Sequence, residues 1–140
     1  MQTLEKTLYT ARATAFAGRD GSVKTDDGAL DLKVTPPKSM GGAGGATNPE
    51  QLFAAGYSAC FGSAVMHVAR MQKITTGPVA ITAQVSLGPV GQGFGLAVEL
   101  EAKIPELPRD VAQKLVEAAH LVCPYSNATR GNIAVNLTVA

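Results

Sequence analysis

The chain of 140 residues has two cysteines, and each sits in a segment of different character. Cys60 lies in Asn48-Pro49-Glu50-Gln51-Leu52-Phe53-Ala54-Ala55-Gly56-Tyr57-Ser58-Ala59-Cys60-Phe61, inside a long apolar helical pattern. Cys123 lies in His120-Leu121-Val122-Cys123-Pro124-Tyr125-Ser126-Asn127, at a helix end stopped by a proline. A rigidly held thiol and a second thiol in a more yielding segment make a redox pair. One thiolate attacks an oxidant and becomes a sulfenic acid, and the other condenses with it to a disulfide. The thiolate must be available first. A free cysteine titrates near 8.5, so only about 3% is ionised at pH 7. Lowering that pKa by about 2 units corresponds to ~2.7 kcal/mol of differential stabilisation, which a positive neighbour can supply.

Arg19 is the candidate for that neighbour. It sits in the turn Gly18-Arg19-Asp20-Gly21, carries a permanent charge and presents a donor fork. Glu50 is placed to orient its guanidinium in a bidentate pair. The geometry of a helix restricts how. Ten residues rise about 15 Å, which puts Glu50 out of reach of Cys60 in its own chain. Ala54-Ala55-Gly56 marks the midpoint between them, and small residues let two helices approach closely. Two copies crossing antiparallel there would bring Glu50 of one beside Cys60 of the other. The expectation is a two-fold homodimer with shared sites.

Taken singly, each of the four residues has a plainer reading. Cys60 on an apolar helix suits an inert buried cysteine, and Cys123 before Pro124 suits a helix end. Arg19 suits a solvated turn, and Glu50 the positive end of a helix dipole. A metal site is a further class, because His67 and His120 add two ligand types. Cys60 and His67 share a helix face but stand about 10.5 Å apart along it, too far to grip one ion. His120 and Cys123 have workable spacing, but two ligands make no site, so both histidines read as packing or surface residues. The glycine-rich stretch before the helix lacks the Lys-Ser/Thr ending of a phosphate loop.

The elements that must position these residues are legible in outline. Thr7 to Phe16 reads as a strand, and Ser22–Lys24 with Leu30–Val34 as a hairpin about Asp26-Asp27-Gly28. Ser39 to Thr47 is glycine-rich loop. The long helix starts near Thr47 or Asn48, with Pro49 in its first turn, and runs to about Met71. It is apolar on nearly all faces and so belongs in the middle of something, with part of its cover from a second subunit. Val79–Leu87 and Leu96–Ile104 read as strands joined through Gly88–Gly93. Pro108–Leu121 is an amphipathic helix, and Ile133–Val139 a closing strand. One domain over residues 1–140, of class α+β, is expected.

The whole chain excludes several functions. A net charge of +1 without a basic stripe gives no footprint for nucleic acid. The N-terminus Met1-Gln2-Thr3-Leu4-Glu5-Lys6 lacks a signal-peptide pattern. No apolar run is read as reaching the ~18 residues of a membrane span. A cytoplasmic, reducing location is the default, where a two-cysteine chain uses its thiols for redox or metal chemistry.

Two motifs carry a resemblance. Gly41-Gly42-Ala43-Gly44-Gly45-Ala46-Thr47-Asn48-Pro49-Glu50-Gln51-Leu52-Phe53-Ala54-Ala55-Gly56-Tyr57-Ser58-Ala59-Cys60-Phe61 resembles the central segment of the organic hydroperoxide resistance (Ohr) proteins, within the OsmC/Ohr family of bacterial thiol peroxidases. Cys123-Pro124-Tyr125-Ser126-Asn127-Ala128-Thr129-Arg130-Gly131-Asn132 is similar to the Ohr rather than the OsmC form of the resolving-cysteine motif. The resemblance covers essentially the whole chain and implies an intertwined homodimer, with β-sheets wrapped around central helices. It implies reduction of alkyl and fatty-acid hydroperoxides to alcohols without a bound cofactor. Carried over, Cys60 is peroxidatic, Cys123 resolving, and Arg19 with Glu50 the activating pair. The disulfide would be recycled by a dithiol such as dihydrolipoamide, free or on a lipoylated protein. Phe53, Phe61, Met66 and the Met40 loop are candidates for the apolar surroundings that favour organic peroxides. Two alternatives stay open: an OsmC-type peroxidase of broader preference, and a non-catalytic peroxide sensor or binding protein.

Overall fold

The hairpin about Asp26-Asp27-Gly28 is present in the computed structural model, which describes all residues from Met1 to Ala140. The chain divides into two units, Met1–Pro49 and Glu50–Ala140. In the first, β1 (Ala13–Phe16), β2 (Gly21–Thr25) and β3 (Asp31–Val34) form an antiparallel meander in the order β1-β2-β3. Asp27 ties the hairpin: its Oδ1 accepts from the Thr25 hydroxyl at 2.7 Å and the Ala29 amide at 3.0 Å. Those donors, the Ala29 amide foremost, hold its carboxyl below the ordinary range. The first strand is shorter than the sequence predicts. Its register ends with Ala13 opposite Thr25, where β2 enters the turn, so Thr7–Arg12 have no strand beside them.

Arg19 lies in the β1–β2 turn, after Ala17 and Gly18, which both take left-handed backbone angles (φ 59° and 60°). The glycine-rich stretch is not wholly irregular: Lys38–Met40 form a 3₁₀ turn. Gly42 is required in it, since a Cβ there would stand 2.0 Å from the Pro36 carbonyl oxygen.

The long helix α1 (Pro49–Met71) has proline at its first position, as expected. In the second unit follow β4 (Ala80–Val90), β5 (Gly93–Lys103), α2 (Arg109–Val122), the short α3 (Pro124–Thr129) and β6 (Val135–Val139). The sheet order is β4-β5-β6, antiparallel between β4 and β5 and parallel between β5 and β6. A chain of strands and helices so arranged is α+β. Gly88, Pro89 and Val90 belong to β4 rather than to a loop. The register runs unbroken to Val90 opposite Gly93, leaving Gly91-Gln92 as the turn, with Gly91 at φ 55°. Proline is tolerated there because β4 is an edge strand.

The core of this unit joins one face of α1 (Tyr57, Phe61, Val65, Val68) to Val98 and Leu100 of β5 and to Leu115, Val116 and Ala119 of α2. The opposite face of α1 is open: Ala55, Ala59, Ser63, Met66 and Arg70 are exposed. One expectation is overturned here. α1 is 23 residues with a mean hydropathy of 1.4 in its best window, long and apolar enough by length and composition to cross a membrane. Its alanines, glycines and serines hide the run, because no short stretch of it is strongly apolar. A core helix passes the same test, and Tyr57, Phe61 and Val65 of α1 are fully buried against β5 and α2.

Candidate active site

Cys60 and Cys123 come together. The Cys123 thiol donates to Cys60 Sγ at 3.6 Å, although 63 positions separate them in sequence. Neither is in a disulfide. Cys60 projects from the fourth turn of α1 and is partly exposed, whereas Cys123 is fully buried at the junction of α2 and α3. Cys123 ends one helix and begins the next: its amide donates to Ala119 O, and its carbonyl accepts from the Asn127 amide, each at 2.9 Å. Pro124 forces the break, since proline fits the first turn of a helix but cannot continue one.

Cys60 opens on a cavity of about 400 Å³ lined by Ser63, Ala64, His67, Val122 and Pro124. The apolar lining of this cavity is Ala64, Val122 and Pro124. Phe61 is turned into the core, and Phe53 packs edge-on against Tyr57 and Tyr125 with centroids 6.0 Å apart in both pairs. Within its unit the Cys60 thiol is pushed above its ordinary pKa. Burial is the main cause, the Tyr125 backbone N–H opposes it, and the Cys123 thiol adds to the rise. Tyr125 can offer that N–H because the first amides of a helix have no partner in the helix itself.

The segment carrying Cys123 is fastened by hydroxyls. Tyr57 Oη lies 2.9 Å from Ser126 Oγ and 3.0 Å from Thr129 Oγ1, and His120 Nδ1 lies 2.8 Å from Ser126 Oγ. Arg130 Nη2 donates to His120 O at 2.5 Å and to Asn127 Oδ1 at 2.6 Å, closing the end of α2. Burial first, then the Arg130 charge, lowers the His120 pKa, so its imidazole is neutral at pH 7. Gly56 sits under Tyr125: a Cβ there would stand 2.6 Å from the Tyr125 hydroxyl. The small residue at 56 thus makes room for a ring of its own chain, and Ala55 is the small residue that α1 turns outward.

The two thiols are legible in the sequence, but their fastening is not. Ser126 and Thr129 are three apart, which puts their hydroxyls on one face of α3, but nothing local points them at Tyr57. Glu50 opens α1, a rise of about 15 Å from Cys60. Arg19 belongs to the first unit and Glu50 to the second. No group of three or more His, Cys, Asp or Glu side chains is placed to hold a metal.

Residues 42–138 match the model of the OsmC-like protein family. The chain belongs to that family. An organic hydroperoxide resistance protein of Xanthomonas axonopodis pv. citri is 53% identical over the full length of both chains. A crystal structure of an organic hydroperoxide resistance protein OsmC from Legionella pneumophila is 54% identical, with a TM-score of 0.93, covering 96% of this chain and 99% of that one. A Vibrio cholerae member of the same group, with captopril bound in one of its active sites, is 53% identical at TM-score 0.93, covering 98% and 95%. Within the OsmC-like family, then, this chain falls with the organic hydroperoxide resistance group, and the α+β fold of its solved relatives is the fold described above.

Proposed function

We propose that the protein is a thiol-dependent reductase of organic hydroperoxides. The observation that carries this is the Cys60–Cys123 pair, 3.6 Å apart, with Cys60 at an apolar-walled cavity. The Cys60 thiolate attacks the distal oxygen of ROOH, the O–O bond breaks, and the alkoxide takes a proton and leaves as ROH. The sulfenic acid then condenses with the Cys123 thiol, losing water and forming the disulfide. A dithiol such as dihydrolipoamide, free or on a lipoylated protein, returns both thiols in two exchange steps. No bound cofactor takes part. The walls formed by Ala64, Val122 and Pro124 favour an alkyl or fatty-acid peroxide over hydrogen peroxide.

Arg19 is the cation that offsets the upward push on the Cys60 thiol, and Glu50 orients it. The working molecule is a homodimer in the cytoplasm, with α1 as its central helix rather than a membrane span. Supporting the dimer are the outward face of α1 and the large apolar side chains of the first unit, with Leu8, Tyr9 and Phe16 each more than three-quarters exposed. The test is steady-state consumption of an alkyl hydroperoxide with excess dithiol. Sustained turnover supports the reading; consumption that stops at one equivalent per chain would make the protein a sensor instead.

A further inference from the structure

Four polar side chains from three helices meet behind the thiol pair, and the proposed chemistry uses none of them. Tyr57 (α1) and Ser126 (α3) are fully buried, Thr129 (α3) is 5% exposed, and His120 (α2) is partly buried. Their hydrogens have one order that satisfies every group. The Thr129 hydroxyl donates to Ser126 O at 3.2 Å, so its oxygen is left to accept from Tyr57. Tyr57 Oη then accepts from Ser126, and Ser126 Oγ accepts from the Nδ1–H of His120. Each group donates one hydrogen bond and each hydroxyl accepts one, and a fully satisfied buried network of this kind fixes one arrangement of the elements it joins. Ser126 stands at the branch. It is three residues beyond Cys123 and is bonded to α1 through Tyr57, one turn before Cys60. With Thr129, it ties the thiol-bearing junction to the helix that carries the other thiol, alongside the contact of the two thiols themselves.

We propose that Ser126 is a positioning residue for disulfide closure: through Tyr57 and His120 it holds Cys123 at attacking distance from Cys60. This rests on the peroxidase reading and deepens it. In the closing step Cys60–SOH and Cys123–SH become Cys60–S–S–Cys123 and water, with the hydroxide leaving Cys60 as it takes the Cys123 proton. The sulfurs must approach from 3.6 Å to a bond of about 2.05 Å. A junction held in place makes that approach faster than a second peroxide can arrive; a loosened junction leaves the sulfenic acid waiting, to be oxidised irreversibly to the sulfinic acid.

Closure can be measured without peroxide. In the reduced protein, the Cys60 thiol attacks the disulfide of 5,5′-dithiobis(2-nitrobenzoate), releasing one thionitrobenzoate and leaving another bound to Cys60. Cys123 then attacks the Cys60 sulfur, releasing the second and forming the disulfide. In Ser126→Ala the first release should keep its wild-type rate and the second should slow by about ten- to a hundredfold, the scale of misplacing a reacting group. Under rising alkyl hydroperoxide the same variant should lose its Cys60 thiol to the sulfinic acid at lower peroxide than wild type, read by mass. A folded Ser126→Ala protein whose second release matches wild type overturns the proposal. So does faster release of both equivalents, the mark of general loosening. Tyr57→Phe, which keeps the ring and removes only the hydroxyl, should show the same slowed second step, and it decides the matter if Ser126→Ala does not fold. A wild-type protein inert toward alkyl hydroperoxide would remove the peroxidase reading and leave the exchange result standing.

Discussion

At Cys60 the balance of burial against hydrogen bonding decides whether the thiol can react at neutral pH. Its own unit raises the pKa, with only the Tyr125 amide working the other way. A cation must therefore do more than shift an ordinary thiol; it must first undo the cost of burial. Arg19→Ala tests this directly. The rate of peroxide attack against pH should then rise through a pKa above the ordinary thiol value near 8.5, not at it. A variant titrating with the wild-type profile would separate Arg19 from the thiolate. The two cysteines should also be unequal. Cys60→Ser should abolish peroxide reduction. Cys123→Ser should react once, leaving a Cys60 sulfenic acid that a dimedone probe captures and excess peroxide over-oxidises. Loss of that first turnover in both variants would contradict the assigned roles. The thiols were legible in sequence because each stands alone in a segment of distinct composition. The wall of the cavity was not, because Val122 and Pro124 reach Cys60 only through the fold.

At the scale of elements, α3 is the piece that sequence reasoning lacked. Six residues opening on proline, with no side chain capping the N-terminus, give no periodic signal, and a helix that short exists only through its tertiary contacts. Those contacts are the hydroxyls of Ser126 and Thr129 on Tyr57, across 69 and 72 positions of sequence. The β4–β5 hairpin shows the reverse: its glycines suggested a loop, but two-strand pairing carries Gly88-Pro89-Val90 straight through. His120 links α2 to α3, and its burial beside Arg130 makes its contribution to stability sensitive to acid, while protonation at Nε2 leaves the Nδ1–H bond to Ser126 in place. Its folded pKa is depressed, so the unfolded chain binds the proton more readily. The stability His120 contributes is then complete above the unfolded value near 6.5 and is lost as pH falls toward the lower folded pKa. His120→Asn keeps an N–H donor near the Nδ1 position and cannot titrate. Urea unfolding of the reduced protein at pH 7.5 and pH 5.5 should therefore show a smaller loss on acidification in the variant. An equal loss in both would place the acid sensitivity elsewhere.

For the whole molecule, the role proposed for Glu50 raises the question of whose Glu50 would serve which Cys60. The ten-residue interval along α1 is a rise of about 15 Å, too far for the Glu50 carboxylate to touch a thiol on the same helix. Two copies of α1 crossing antiparallel about Ala55, which faces outward, would set Glu50 of one opposite Cys60 of the other, since 55 is the mean of 50 and 60. A mixed dimer separates the possibilities. Pair a Cys60→Ser subunit with a Glu50→Ala subunit, purified through two different tags. If sites are shared, one site lacks both residues and the other is whole, so the heterodimer should keep about half the wild-type activity, counting independent sites. If each subunit uses its own Glu50, one site lacks its nucleophile and the other its carboxylate. The activity then falls to about half that of the Glu50→Ala homodimer, again counting independent sites. The two outcomes differ by the full effect of Glu50→Ala, which the homodimeric variant measures separately. Activity at the lower level would end the shared-site arrangement and leave the thiol chemistry of Cys60 and Cys123 intact.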